Sequence, residues 1–387
     1  MDKIIFSQLL DFAPKRNLKN SAKKTKIVHG NKKISAWEQF VCMCFAQLTG
    51  CSGLRDIQTS FSAMSHKMYH LGIYSNISKS NLSRVNNQRP SEVFRSLVIN
   101  LMKEARSLYK EDRFDKTLDE VVYVLDSTYI SLCLSLFPWA QIGKQPIAGI
   151  KVHTLLDLRG SIPAFIDLSK GSCPDNKIMD KINIEPGAFY IVDKAYVDFK
   201  RLCRIDNERG FFVARFKINI AFTRTYSNKV EFNSGVISDQ VGKFTGSVGK
   251  RKYQNKIRKI VFHDREKNKT LTFMTNNFTI EAHAVAQLYK HRWQIEIFFK
   301  WIKQNLKIKK FYGNSYNAVE TQIWIAISTY LLVAIAKKRL NLKQPLAQIL
   351  HIMSISLFEK ESLFQILNKN NQGGLSNSTS NQLNLFS

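Results

Sequence analysis

Two apolar runs, each ending on a carboxylate, constrain this chain more than any other feature. Val121-Val122-Tyr123-Val124-Leu125 runs into Asp126, and Phe189-Tyr190-Ile191-Val192 runs into Asp193. Short unbroken apolar runs of this kind predict strands buried on both faces. A carboxylate at the end of such a strand is costly to bury unless it is paired or holds a metal. If the two strands lie side by side, the two carboxylates repel, and a divalent cation is their natural partner. Taken singly, each Asp reads more readily as the cap of the turn that follows a strand, which is common.

The surrounding texture places these strands in an α/β layer pattern. Val121–Ile130, Ile150–Leu158, Ile162–Leu168, Phe189–Asp193 and Phe211–Phe216 are β-rich. A helix is expected after Pro174, another over Val197–Asn207, and a long one over 281–310, giving β-β-β-α-β-α-β-α with the last helix delayed. The delay, residues 217–280, alternates β-like pieces (Ala221–Tyr226, Ile257–His263, Thr270–Thr275) with Gly, Asn and Ser turns. Upstream, 35–48 has helical apolar spacing, Leu54-Arg55-Asp56-Ile57 opens a second helix, and a third starts at Ser78 or Ser80 and carries Arg84 and Arg89. Short helices with polar, basic exposed faces suit a helix-turn-helix-like DNA reader.

Charge narrows the class. The 387 residues hold 58 Lys plus Arg against 30 Asp plus Glu, a net charge of +28, so polyanions are the expected partners, nucleic acid first. At 44% hydrophobic residues a sizeable core is available, which excludes wholesale disorder. The six cysteines form no C-x-x-C pair, so no zinc ribbon is encoded, and Cys42 and Cys44 read as core thiols in a reducing cytosol. The longest strongly apolar run, from Ile323 to Lys337, falls short of the roughly 20 residues of a membrane span and reads as a buried helix. The N-terminus lacks the layout of a signal peptide. The Asn-, Ser- and Gln-rich tail from Asn368 is expected to be disordered.

The helix over 289–303 adds a third carboxylate. At about 100° per residue, Tyr289, Arg292, Glu296 and Lys303 fall within an arc of roughly 60°. Leu288, Ile295, Phe298, Phe299, Ile302 and Leu306 make the neighbouring apolar stripe that would dock on the sheet. One carboxylate, a phenol and two cations on the border of a buried face suit a site that binds both metal and phosphate. From Lys290 to Lys310 there are seven Lys/Arg and one acid, Glu296, so that lone Glu is either functional or a helix-pair partner of Arg292 or Lys300.

The spacing Tyr289-x2-Arg292-x3-Glu296-x6-Lys303 resembles the Y-R-E-K signature of the insertion-sequence transposases of the "four" group. Asp126-Ser127-Thr128 is similar to that family's first acidic motif, and Asp193-Lys194-Ala195-Tyr196 to its second, where many relatives read Asp-Arg-Gly-Tyr. Relatives often carry His before the Asp where this chain has Pro174-Asp175. The resemblance spans about residues 1 to 345. It implies a ribonuclease-H-like mixed sheet with flanking helices, a β-rich insertion before the last catalytic helix and a helical N-terminal DNA-binding region. The implied divisions are a helical DNA-binding region (1–90), a connecting helix (91–120), a catalytic domain (121–216 and 281–345), a basic β-rich insertion (217–280), and a C-terminal helix with a disordered tail (346–387).

The same resemblance implies a DDE triad, Asp126, Asp193 and Glu296, holding two Mg²⁺ (or Mn²⁺) about 3.5–4 Å apart, with Tyr289, Arg292 and Lys303 on DNA phosphates. The implied activity is metal-dependent endonucleolytic cleavage at terminal inverted repeats and strand transfer, by cut-and-paste through hairpin ends. Its partners are double-stranded DNA, at element ends and target, and a second copy of the chain in a synaptic complex; the setting is cytoplasmic, bacterial in type and nucleoid-associated. Related hairpin-forming enzymes hold a flipped base with an insertion Trp; residues 200–280 have none, which leaves Phe or Tyr for that role. The alternative from another class is a non-catalytic DNA-binding regulator derived from a transposase.

Overall fold

The computed structural model describes residues 3–25, 34–114, 118–231, 234–306, 308 and 310–372. Nine strands, β1 (Val122–Leu132), β2 (Ala148–Asp157), β3 (Ile162–Lys170), β4 (Phe189–Val192), β5 (Phe211–Arg215), β6 (Phe222–Ser227), β7 (Val236–Phe244), β8 (Ile257–Asp264) and β9 (Lys269–Thr275), join in one sheet. Their order is β3-β2-β1-β4-β5-β9-β8-β7-β6. β1, β4 and β5 run parallel, while on the other side of β1 the strand β2 pairs antiparallel with β1 and β3 antiparallel with β2. A central strand flanked by an antiparallel hairpin on one side and parallel strands on the other is the ribonuclease-H-like arrangement. All four residues of β4 are buried, which is what its unbroken apolar run requires of a strand covered on both faces.

Residues 217–280 do not fold away from this sheet. β9 returns antiparallel to β5, pairing Val213 with Thr275, and β8, β7 and β6 extend the same sheet outward. Asp239 and Arg258 lock neighbouring strands through a buried ion pair, Nη2–Oδ2 2.8 Å. β7 escaped the sequence reading because Ser, Asp, Gln, Gly and Lys interrupt its alternation, and it is stabilised by ladder partners on both sides. The outermost strand, β6, is exposed over most of its length.

Among the described residues, six α-helices precede the sheet: α1 (Ile5–Leu10), α2 (Lys15–Lys24), α3 (Ala36–Thr49), α4 (Leu54–Ala63), α5 (Lys79–Gln88) and α6 (Glu92–Leu108). α3 starts where Ser35 and Glu38 cap each other's backbone, and ends on Gly50 at φ 71°, a left-handed turn that glycine adopts without strain. α5 starts at Ser78, whose hydroxyl accepts from the Asn81 amide. Arg89, expected on a DNA-reading face, is instead 2% exposed. Its guanidinium donates to Gln39 Oε1 and to the carbonyls of Ser35 (3.2 Å) and Ile34 (2.7 Å). The correction has a plain cause: the fork satisfies the carbonyls that precede α3, a role invisible to residue spacing.

The remaining helices are α7 (Phe199–Asn207), α8 (Ser247–Lys252), α9 (Ala282–Lys290), α10 (Trp293–Asn305), α11 (Tyr316–Arg339), α12 (Leu346–Ser356) and α13 (Leu363–Gln372). The helix expected over 281–310 is thus two. At the break, Arg292, Gln294 and Ile295 bond to carbonyls three residues back, which tightens one turn. The helix expected after Pro174 is a 3₁₀ segment, Asp175–Lys181. α11 is longer than the apolar run suggested: at 24 residues it is, among the described residues, the one helix long and apolar enough to cross a membrane, yet 94% of its most apolar stretch is buried inside the fold. It packs against α3, α5 and α6, while α6 covers β3 and α10 covers β1. α13 carries the chain to Gln372, so Asn368–Gln372 is helical rather than disordered; Leu367, buried, supplies the carbonyl that Gln344 donates to. The rest of that tail, 373–387, lies outside the described residues, as do Lys26, Lys32, Lys33, Lys307 and Lys309 of the basic stretches.

Candidate active site

The register of two strands builds the first half of the site. β1 and β4 pair in parallel from Val122 with Phe189 to Leu125 with Val192. Asp126 and Asp193 are each the next residue, so they stand at the same level, where the parallel pairing of β1 with β4 ends and β1 runs on beside β2 alone. α10 brings the third carboxylate: Ile295, Phe298, Phe299 and Ile302 are buried, as their stripe requires, and Glu296 on the border reaches the strand ends. An open groove is lined by Asp126, Ser127, Thr128, Glu296, Phe299, Lys300, Lys303 and Gln304. Lys303 thus shares one depression with Asp126 and Glu296.

Polar contacts knit the group together. The Tyr289 hydroxyl donates to Asp193 Oδ1 at 2.9 Å. Arg292 spans two carboxylates, giving Nη1 to Asp126 Oδ2 at 3.1 Å and Nη2 to Glu296 Oε1 at 2.5 Å. The tightened turn between α9 and α10 lets Tyr289 and Arg292 address different acids. Arg292 therefore pairs with Glu296, as an ordinary helix pair would, and with Asp126 across 166 positions of sequence, which no helix pair explains.

Burial drives the Asp126 carboxyl up to about 6. The Ser127 amide, at 2.8 Å from Oδ1, and Arg292 oppose the rise, while the charges of Asp193 and Glu296 add to it. The Arg292 guanidinium loses by burial but is raised above its ordinary value by the Glu296 hydrogen bond and the nearby negative groups. The donors of the site are hard carboxylate oxygens, the chemistry that Mg²⁺ and Mn²⁺ take. Among the described residues no three acids, His or Cys converge closely enough to hold an ion as placed, because the Arg292 guanidinium lies between Asp126 and Glu296.

Sequence reasoning passed over two residues behind the strand, Lys151 and His153. They project from β2 toward Asp175, with Lys151 Nζ donating to Asp175 Oδ1 at 3.0 Å. The available signal was two basic side chains at alternate positions in an otherwise apolar run, Ile150–Leu158.

Residues 117–332 match the family described as "Transposase DDE domain", and residues 1–74 match a "Domain of unknown function (DUF4372)". The chain is 34% identical over 247 residues to the putative transposase y4zB of Sinorhizobium fredii (strain NBRC 101917 / NGR234), covering 63% of this chain and 68% of that protein. It is 27% identical over 258 residues to the probable transposase for insertion sequence element IS5377 of Geobacillus stearothermophilus, covering 66% of each. It is 26% identical over 290 residues, 71% of this chain and 76% of the relative, to the putative transposase for insertion sequence element IS4SA of Synechocystis sp. (strain ATCC 27184 / PCC 6803 / Kazusa). Among solved structures, the piggyBac transposase synaptic complex with hairpin DNA aligns with a TM-score of 0.48 at 10% identity, over 96% of this chain and 81% of that one. The family match takes in all three carboxylates and the strands and helices that place them: this chain belongs to the DDE transposase family, of the type encoded by insertion sequences.

Proposed function

We propose that the chain binds the terminal inverted repeats of an insertion sequence and catalyses divalent-metal-dependent strand cleavage and strand transfer there, by cut-and-paste through hairpin ends. The observation that supports this reading is that Asp126 and Asp193 stand side by side on adjacent strands, while Glu296 and Lys303 line one groove with Asp126. Asp126, Asp193 and Glu296 would hold the metal, Mg²⁺ or Mn²⁺, as a pair of ions. When bound, the metal supplies charge neutralisation and lowers the cost of forming the attacking oxygen.

The chain's own residues do the rest. Phosphoryl transfer needs alignment and neutralisation more than covalent chemistry. Arg292, withdrawn from Asp126 and Glu296, offers its fork to a phosphate, and Lys303 offers a point charge two turns along. Tyr289 keeps Asp193 aimed by donating to it. α8, with Lys250, Arg251 and Lys252 exposed, and the basic outer strands supply phosphate contacts that carry no sequence information. We assign the working form to a dimer on DNA in a cytoplasmic setting.

The test is a cleavage assay on plasmid DNA carrying the segments that flank the coding region. Asp126→Asn, Asp193→Asn and Glu296→Gln should each bind the ends normally and nearly abolish Mg²⁺-dependent cleavage. Normal cleavage by any one of them removes that residue from the triad. End binding without cleavage by the unaltered chain would instead favour a non-catalytic regulator.

A further inference from the structure

Side chains alternate along a strand, so Ser127 points to the opposite face of the sheet from Asp126. On that back face the cross-strand partners of Ser127 and Tyr129 are His153 and Lys151. The chain after β3 descends onto the same face through Pro174 and delivers Asp175 at the start of its 3₁₀ segment. One oxygen, Asp175 Oδ1, accepts the Ser127 hydroxyl at 2.8 Å and Lys151 Nζ at 3.0 Å. Lys151 also donates to the Cys173 carbonyl at 2.9 Å, which fixes the loop that carries Asp175. His153 is 1% exposed, with Nε2 on Ser169 Oγ at 2.8 Å and Nδ1, which has no partner, 4.0 Å from the same Asp175 oxygen. Tyr196, equally buried, lies beside Ser127 from the side of the second acidic motif.

The front of the strand explains why such an assembly sits behind it. Asp126 Oδ1 takes its hydrogen bond from the backbone amide of Ser127, 2.8 Å away. The orientation of that peptide therefore sets the orientation of the carboxylate. The Ser127 hydroxyl is the handle on the peptide, and Asp175 grips the handle. A catalytic carboxylate must be held to within about half an ångström, and a hydrogen bond from a neighbour that is itself anchored is how that is achieved. Asp175 has no need to approach the groove to matter there.

We infer that Asp175 is a positioning residue for the reaction, acting through Ser127 on Asp126 and held in turn by Lys151. This rests on the reading of Asp126 as a triad member. Two properties follow. The effects of Ser127 and Asp175 are not independent, because both act through one peptide. Loss of either leaves the triad in place but poorly aimed, so metal is held less well and chemistry slows while DNA still binds.

The experiment uses the full chain and compares Ser127→Ala, Asp175→Asn, the double variant and Ser127→Thr, which keeps a hydroxyl. Single-turnover cleavage of the flanking-segment plasmid is measured against Mn²⁺ concentration. Mn²⁺ binding without DNA is read by electron paramagnetic resonance, and folding by thermal melt. Each single variant should cut about ten- to a hundredfold more slowly, the scale of a misplaced reacting group. Each should need more Mn²⁺ and show weaker Mn²⁺ binding without DNA. The double variant should be no worse than the poorer single, and Ser127→Thr should recover most of the rate. Additive losses, or unchanged Mn²⁺ binding beside a lowered melting point, would overturn the inference and leave Asp175 a loop anchor only. Should Asp175→Asn fail to fold, Ser127→Ala against Ser127→Thr decides alone: equal rates and equal Mn²⁺ binding defeat the proposal. Asp126→Asn separates the two readings. If it is inert while the Ser127 and Asp175 variants cut normally, only the positioning proposal falls; if it cuts normally, the triad reading falls and the positioning proposal with it.

Discussion

Arg292 sits between two acids, and its replacement distinguishes a phosphate clamp from a simple counterion. On the proposed reading, Arg292→Ala reduces single-turnover cleavage by about 10²-fold with saturating DNA, because the scissile phosphate loses its fork. Arg292→Lys recovers part of that rate, since an ammonium cannot reproduce the bidentate geometry. If cleavage stays normal and only the melting point moves, Arg292 is a counterion. Asp126 carries a second, pH-dependent consequence. Its folded value of about 6 exceeds the unfolded ~3.9. The folded chain thus binds the proton more tightly, so stability falls as pH rises from about 4 to about 6 and stays lower above that. Asp126→Asn removes the penalty: the variant should melt a few degrees above the unaltered chain at pH 7.5, and the gap should close below about pH 4. Arg89 makes the opposite case. Arg89→Met leaves Gln39 and the Ile34 carbonyl without their donor inside the core and should cost about 2–4 kcal/mol in a denaturant titration, with no change in DNA affinity beyond that due to unfolding.

At the level of elements, what was legible depended on whether the signal was local. Val121–Asp126 and Phe189–Asp193 announced buried strands because both faces of each are covered, and continuous apolarity is the direct imprint of that. The Tyr289–Lys303 spacing announced a helix with a polar border for the same reason. The split at His291-Arg292 was hidden, since three tightened hydrogen bonds leave no mark on composition. Arg89 misled because an exposed basic face and a buried guanidinium have the same spelling; only the carbonyls of Ile34 and Ser35, more than fifty positions away, tell them apart. β7 was missed because its polar residues are held by ladders to β6 and β8 rather than by its own pattern. The helix α8 supplies the prediction at this scale. Lys250, Arg251 and Lys252 are exposed together at its end. Replacing all three with Ala should flatten the dependence of log affinity on log salt by about 0.9 for each phosphate that is no longer neutralised, and binding across a salt series would show it. An unchanged slope means that α8 does not touch DNA.

Across the whole molecule, the N-terminal helices and the sheet share one core. The Tyr109 hydroxyl donates to the Ala334 carbonyl at 3.0 Å, Ser91 to Glu320 at 2.7 Å, and the amides of Ile5 and Phe6 to the carbonyls of Glu359 and Leu357. Such ties across the length of the chain make independent unfolding of residues 1–108 costly. Helical circular dichroism and the fluorescence of Trp37, Trp139, Trp293, Trp301 and Trp324 should therefore lose signal in one coincident thermal transition. Two separated transitions would mean that the N-terminal helices form a unit of their own.

The burial of α11 also bears on how the chain is made. A 24-residue helix of this apolarity, emerging alone from a ribosome, presents what a membrane-insertion machinery selects. Most of its cover, however, comes from α3, α5 and α6, all encoded more than 200 positions earlier, and α12, which follows it, adds more. By the time Tyr316–Arg339 is synthesised, most of the surface that receives it has left the exit tunnel, and the helix can dock there as it appears. Moving those helices downstream of α11 by circular permutation would reverse that order and expose the segment during translation, while the finished fold kept the same packing.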